Sequence, residues 1–406
     1  MPTLITFLLS LTVDSKNQSI DAKSGEFFQQ ARRSGLWPEA EAAHRSAVTR
    51  ARAKLPWTVF ETLLADAVNL AYSVWPESDE YTWHGMTAVA FDGSKYTLPG
   101  SPELREAFDP ESGLEYPGKG HYPQCLISTA FDVLRRLPLA RAVSPITEGN
   151  EREDVLALLP KLPERPMVLL FDRGYPGYDL IGNLHQTTEH HYVFRCPAKS
   201  TFKAVEQFVQ SGKPEAALWL DRSSRLSKKR PDSGTKTAIM LRAIRLESPD
   251  GTLSVLLTNL LDHAQYPAAS IVELYFRRWR IEEQYRDEKT HLGIENFHSQ
   301  SENGIRQELF AVLVMCVISR TLMALMSEQD KPHTPQFKNA IRAVAADAAL
   351  LTATNPELAL RLFRELLNEI ARVKYYKPKS PRKPYPRVSR KPVNKWQQNK
   401  VKRMAA

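Results

Sequence analysis

Three acids far apart in the chain, Asp92, Asp172 and Glu282, stand where a carboxylate can do more than dissolve a surface. Asp92 follows the apolar run AVAF and precedes Gly93; Asp172 follows VLLF and precedes Arg173-Gly174. An Asp at the end of a strand in an open α/β sheet points into the crevice beyond the sheet. The same position also suits a plain turn residue. The third acid lies in YFRRWRIEEQYRDEKT, residues 275–290, where four acids and five basic groups crowd together. At about 100° per residue from Tyr275, a straight helix puts Arg278, Glu282 and Lys289 within about 60° of it, with Glu283 about 80° away. Ordinary i,i+4 pairing accounts for Arg278–Glu282 and Glu282–Arg286 at about 0.2–0.5 kcal/mol each. It does not account for Tyr275, Trp279 and Tyr285 interrupting a hydrated face.

Chemistry on a phosphodiester has a use for such a set. Attacking and leaving oxygens both gather negative charge, and two divalent cations about 3.5–4 Å apart can stabilise both. Mg²⁺ takes oxygen ligands and keeps part of its water, so two or three carboxylates suffice. Arg278 and Lys289 would hold phosphates, and Tyr275 would orient one or stack a sugar or base. Arg173 has two readings, a phosphate contact or a structural ion pair. The histidines lack zinc spacing with the cysteines.

Positioning such groups takes a scaffold. Residues 24–80 read as mainly helical, with segments near 24–34, 38–53 and 58–73. From 86 the texture is that of strands: MTAVAFDGSKYTLPG as a strand, a turn at Asp92-Gly93 and a second strand, then CLISTAFDV and LPLARAVSPI. Asn150–Glu153 caps a helix that leads to the strand MVLLF, a helix near 177–186 and the strand HYVFR. Residues 201–265 read as a β-rich insertion, followed by a helix from near Ala268 and a long apolar helix at 303–327. The expected fold class is α/β, a mixed sheet flanked by helices.

Those motifs together carry a resemblance. Asp92-Gly93, Asp172-Arg173-Gly174 and the Y-x2-R-x3-E-x6-K run from Tyr275 to Lys289 resemble the DDE transposases of bacterial insertion sequences, in the group with the Tyr–Arg–Glu–Lys signature. The resemblance covers roughly residues 86–325. It implies a ribonuclease-H-like domain over 86–330, with a β-rich insertion at 201–265. Asp92, Asp172 and Glu282 would then be the catalytic residues and the ligands of two Mg²⁺ ions, with Mn²⁺ as a substitute. Tyr275, Arg278 and Lys289 would grip end phosphates, and Trp219 is the candidate for holding a flipped base. Double-stranded DNA, as terminal inverted repeats and target, would be the substrate of a synaptic homodimer. Cut-and-paste movement would proceed by 3′-OH strand transfer through a hairpin. Two alternatives stand beside it, a metal-dependent nuclease without strand transfer and a non-catalytic DNA-binding protein.

Outside that region, residues 1–80 form a helical unit for DNA binding or packing, and 331–370 a C-terminal helical segment. Net charge is +9 from 55 basic and 46 acidic residues. The Pro-rich tail 371–406 holds 13 basic residues and no acid; subtracting them leaves 42 basic groups against 46 acids. The tail alone makes the chain basic, and its natural partner is a polyanion. Lys228, Lys229 and Arg230 form a second basic run. Cys125, Cys196 and Cys316 are too dispersed for a disulfide framework. The apolar opening MPTLITFLLSLTVDS lacks a basic n-region, and LFAVLVMCVI at 309–318 is too short to cross a bilayer. A cytoplasmic protein, nucleoid-associated when on DNA, is expected.

Overall fold

Apolar strands that alternate or run continuously build one eight-stranded sheet. In chain order they are β1 (Thr87–Thr97), β2 (Gln124–Asp132), β3 (Leu137–Pro145), β4 (Met167–Phe171), β5 (His191–Pro197), β6 (Glu215–Leu220), β7 (Ile239–Glu247) and β8 (Leu253–Thr258). Their spatial order is β3-β2-β1-β4-β5-β8-β7-β6. The computed structural model describes residues 1–14, 18–76, 78–112, 120–199, 202–221, 238–248, 251–327 and 334–375. Lys228, Lys229, Arg230 and the tail from residue 376 lie outside them.

β4 pairs in parallel with both β1 and β5, and its five residues are all buried, as a strand covered on both faces requires. β1–β2 and β2–β3 are antiparallel, so the first five strands take the ribonuclease-H-like arrangement. Residues 201–265 supply a helix, Lys203–Gln210, and then β6, β7 and β8, which extend the same sheet through the β5–β8 pairing. The segment adds to the sheet rather than standing apart from it.

The turn expected at Asp92-Gly93 is absent. β1 runs unbroken past both residues because its ladder with β2 continues from Val89↔Asp132 to Thr97↔Gln124. A glycine in a strand can mark a close approach instead of a turn, and that is its use at position 93.

β4 is the short member. Its pairing with β1 ends at Ala90↔Leu170 and with β5 at Phe171↔Phe194, while β1 runs on to Thr97 and β5 to Pro197. Beyond Phe171 the sheet therefore has a notch two strand spacings wide, about 9.6 Å. Its floor is a row of buried rings. Phe91 stacks on Phe171 at 5.3 Å, and Phe171 on Phe194 at 4.4 Å, each pair 12° from parallel. The next residue on each strand is Asp92, Asp172 or Arg195.

Helices cover both faces. Ser128 donates to Asp154 of the helix Glu151–Leu158 on one face. On the other, Arg141 bonds Thr129 and the main chain of the helix Glu302–Ser327. That long helix has the length and apolarity of a membrane span, yet 78% of its apolar window is buried inside the fold. The helix expected at 303–327 is present and starts one residue earlier, at Glu302.

The N-terminal helices are Pro2–Leu11, Ile20–Arg33, Arg45–Ala53 and Thr58–Val74. The first lies in the signal-like opening, and Phe7, Leu8, Leu9 and Leu11 on it are core residues. Residues 38–44, expected to be helical, are not. Arg52, 3% exposed, bonds Gly304 O, Gln307 and Glu308 of the long helix, which ties these helices to the rest of the unit Met1–Lys374.

The Glu282 segment is locked to the sheet by a second buried ion pair. Glu288 accepts from Arg141 at 2.8 Å, from Tyr96 at 2.8 Å and from Gln284 at 3.1 Å, with both ionic side chains fully buried. Glu288→Ala leaves Arg141 charged and unpaired, which should cost about 3–5 kcal/mol in chemical denaturation. Glu283→Ala breaks only the half-exposed pair with Arg136 and should cost less than about 1 kcal/mol. Equal costs would contradict this account of what anchors the segment.

Candidate active site

Asp92 lies on β1, on the sheet face it shares with Ser94 and Tyr96, and lines the notch from one side. Asp172 follows the last residue of β4 and takes up the notch itself. Its Oδ1 accepts from Gly174 N at 2.7 Å, a turn that aims the carboxylate. Extending the β1–β4 register by two residues sets the two aspartates on adjacent strands at the same level.

Glu282 arrives from a composite helix. Ala268–Phe276 is α-helical, Arg277–Trp279 is 3-10, Arg280–Arg286 is α-helical again, and Asp287–Leu292 is a π turn. One turn after Glu282, Tyr285 donates to the carbonyl of Asp92 at 2.7 Å, pinning the helix to the strand at the site.

The electrostatics report the convergence. Asp92 is pushed up to about 7: burial lifts it, Arg278 opposes, and Asp172, Glu282 and Glu151 lift it further. Arg278, 5% exposed, keeps its charge; burial works against it, but Tyr275, Asp92 and Glu282 outweigh burial. Arg278 Nη2 donates to Glu282 at 3.1 Å, while its Nε and Nη1 and the Tyr275 hydroxyl complete no hydrogen bond of ordinary geometry. Donors left unmatched in a buried site are costly unless a ligand fills them.

The structure gathers Asp92, Asp172, Glu282, Tyr275 and Arg278 at the notch. Lys289 lies further along β1, its amine bonded to Ser94 Oγ at 2.9 Å and to Lys95 O, and 4.4 Å from the centre of the Tyr96 ring. Arg173 is exposed beside Asp172. Trp219 sits on β6, at the sheet edge and four strands from β4, about 19 Å away. It does not belong to the site of this chain.

Several neighbours escape sequence reasoning. Arg195 follows Phe194 on the far side of the notch, donates to Ser254 Oγ at 3.2 Å and acts on Tyr275. Phe276 and Trp279, 51% and 55% exposed, present ring faces beside the half-buried cluster. Glu151 comes from the helix on the opposite sheet face. Of these, Trp279 is already singled out in the sequence as an aromatic interrupting the charged run, and Phe276 carries the same signal.

Oxygen donors alone suit a hard divalent cation. Among the described residues, no three His, Cys, Asp or Glu side chains already stand at the separations of a closed metal cage. Glu282 is paired with Arg278 at 3.1 Å.

Comparison with known proteins gives the family. A profile described as a transposase DDE domain matches residues 83–318, more than half of the chain. Transposase InsG for insertion sequence element IS4, from Escherichia coli (strain K12), is 24% identical over 327 residues, 79% of this chain and 71% of that protein. The y4zB protein of Sinorhizobium fredii (strain NBRC 101917 / NGR234) is 29% identical over 153 residues, 37% of this chain and 41% of that protein. A cryo-EM structure of the piggyBac transposase synaptic complex with hairpin DNA aligns over 93% of this chain and 77% of its own, at 10% identity and a TM-score of 0.43. With the DDE profile matched across the sheet and the segment bearing Glu282, the chain belongs to the DDE transposase family, among the insertion-sequence enzymes related to IS4.

Proposed function

We propose that this transposase moves its element by cut-and-paste. It would cleave at the element's ends, join a freed 3′-OH to the opposite strand as a hairpin, reopen it and transfer the 3′-OH to target DNA. The observation that carries this reading is the convergence of Asp92, Asp172 and Glu282 on one notch, expressed in the raised Asp92. Asp92, Asp172 and Glu282 would hold two Mg²⁺ ions, with Mn²⁺ able to replace them. When bound, the ions would activate the attacking oxygen and stabilise the leaving one. Arg278 and Tyr275, which lie against each other, would offer a phosphate the guanidinium and the hydroxyl, and Tyr285 keeps Glu282 in place over β1. Lys289 and Arg173 would hold phosphates flanking the scissile one. The exposed rings of Phe276 and Trp279 offer stacking faces to a base or sugar. Two copies would pair the element's ends in a homodimer. Three buried free cysteines fit a reducing cytoplasm, where the protein would associate with the nucleoid through DNA.

Asp92→Asn, Asp172→Asn and Glu282→Gln should each abolish cleavage of a labelled terminal-repeat duplex in Mg²⁺ while keeping most end binding. Full cleavage by Glu282→Gln removes that residue from the mechanism. Appearance of cleaved ends without any joined product would favour the nuclease alternative instead.

Cation binding should depend on pH with a definite sign. Asp92 is raised from 3.8 to about 7, so between those values the metal-free fold holds a proton that the unfolded chain has released. That contribution favours the metal-free fold at low pH and fades as pH climbs towards 7. A cation must displace the same proton, so its affinity should rise by up to about tenfold per pH unit below 7 and level off above. Calorimetry in buffers of differing ionisation enthalpy should find close to one proton released near pH 6. A flat profile from pH 5 to 8 contradicts Asp92 as a ligand.

Deleting 371–406 should weaken binding to any duplex and flatten the plot of log affinity against log salt. An unchanged slope rules out phosphate contacts by the tail.

A further inference from the structure

β4 stops at Phe171 while its neighbours continue, so groups from either sheet face can approach beyond its end. The composite helix uses one face. On the other lies Glu151, the first residue of the helix Glu151–Leu158. Its neighbours hold that helix end firmly. Asp154 accepts from Ser128 of β2 and from Ser144 of β3, and Arg152 donates to the carbonyls of Gly174 and Pro176, in the loop after Asp172. Capping by Asn150 and Glu153 starts the helix without the Glu151 side chain.

The role of Glu151 is indicated by Gly93. A Cβ at position 93 would lie 2.4 Å from Glu151 Oε1 and 2.5 Å from its Cδ, so the carboxylate rests directly against this glycine. No other residue type leaves room for it, and Gly93 adjoins Asp92. Glu151 and Asp172 also feel each other: burial raises the Glu151 carboxyl, Tyr175 opposes this, and Asp172 raises it further. An independent group faces the same space. Tyr175, 1% exposed, lies beside Asp92 and directs its hydroxyl at the Glu151 carboxylate. The Glu151 carboxylate is thus held between Tyr175 and Gly93, the residue next to Asp92.

We propose that Glu151 is a fourth carboxylate of the catalytic centre, reaching the notch past Gly93 from the opposite sheet face and helping to hold the hydrated divalent cation of Asp92 and Asp172. The assignment rests on the metal-dependent reading above and adds a residue that the family signature does not contain. Groups that support a metal through its water typically change affinity by about 10–100-fold when removed.

Mn²⁺ binding to the full-length protein, followed by the loss of the free-ion electron paramagnetic resonance signal, tests this without turnover. Glu151→Gln should bind Mn²⁺ about tenfold more weakly than the wild type, with an unchanged thermal midpoint. Glu153→Gln, on the exposed side of the same helix, should bind as the wild type does. Gly93→Ala displaces the Glu151 carboxylate and should also weaken binding; adding Glu151→Gln to it should then change nothing further, the non-additivity expected of a shared cause. This cycle reads the same contact if Glu151→Gln lowers the midpoint. Wild-type affinity in Glu151→Gln, or full additivity with Gly93→Ala, overturns the inference alone. If Asp92→Asn also leaves Mn²⁺ binding intact, the metal-centred reading fails with it.

Discussion

A carboxylate taken out of water resists ionisation unless something positive joins it, and the burial of Asp92, with Asp172, Glu282 and Glu151 adding to it, sets that constraint at the centre of the molecule. Two charges at short range in an interior interact far more strongly than in water, so the acids around Asp92 add to the effect of its burial. In the metal-free chain the strain is met in two ways. Asp92 keeps a proton up to about pH 7, and Arg278 leans on Glu282. Both are substitutes for a cation. Arg278 stands beside Asp92 as well as Glu282, so one guanidinium serves both acids.

The surroundings keep the charges in place despite their repulsion. Phe91, Phe171 and Phe194 form a rigid stacked floor from three adjacent strands, so the residues that follow them are set side by side by packing. Arg141 and Glu288 pair in full burial and tie β3 to the π turn, while Tyr285 bonds the main chain at Asp92. A buried pair is a poor source of net stability, but it tolerates few arrangements, and that is its value in fixing a register. Arg52 and Glu308 do the same between the N-terminal helices and the long core helix.

The composite helix shows where simple periodicity held and where it did not. A straight wheel puts Tyr275, Arg278, Glu282 and Lys289 on one stripe. The 3-10 turn at Arg277–Trp279 winds tighter than an α-helix and the π turn at Asp287–Leu292 winds wider, so the two departures act in opposite senses. Tyr275, Arg278 and Glu282 stay together at the notch. Lys289, inside the π turn, is instead drawn along β1 to Ser94, and the turn's neighbouring Glu288 goes inward to Arg141. No propensity scale announces a π turn; the buried ion pair that holds it is a tertiary contact.

What the sequence by itself determined is the local chemistry: apolar runs of strand length ending at acids, a helix carrying alternating charges and aromatics, and a basic tail that cannot form a core. Asp92, Asp172, Glu282, Tyr275 and Arg278 were legible for that reason, since residue type and spacing state what each can do. Where β1 would end was misread, because Asp-Gly resembles a turn and only the continuous ladder with β2 overrides it. The signal-like opening became a core helix for a similar reason, as its apolar side chains were given partners by segments some 300 residues away. Tertiary structure alone decided the length mismatch of β4 against β1 and β5, and with it the notch. It alone brought in Glu151 and Arg195, because approach across a sheet is set by which strands are neighbours, and neighbourhood between distant segments leaves no periodic trace in a chain.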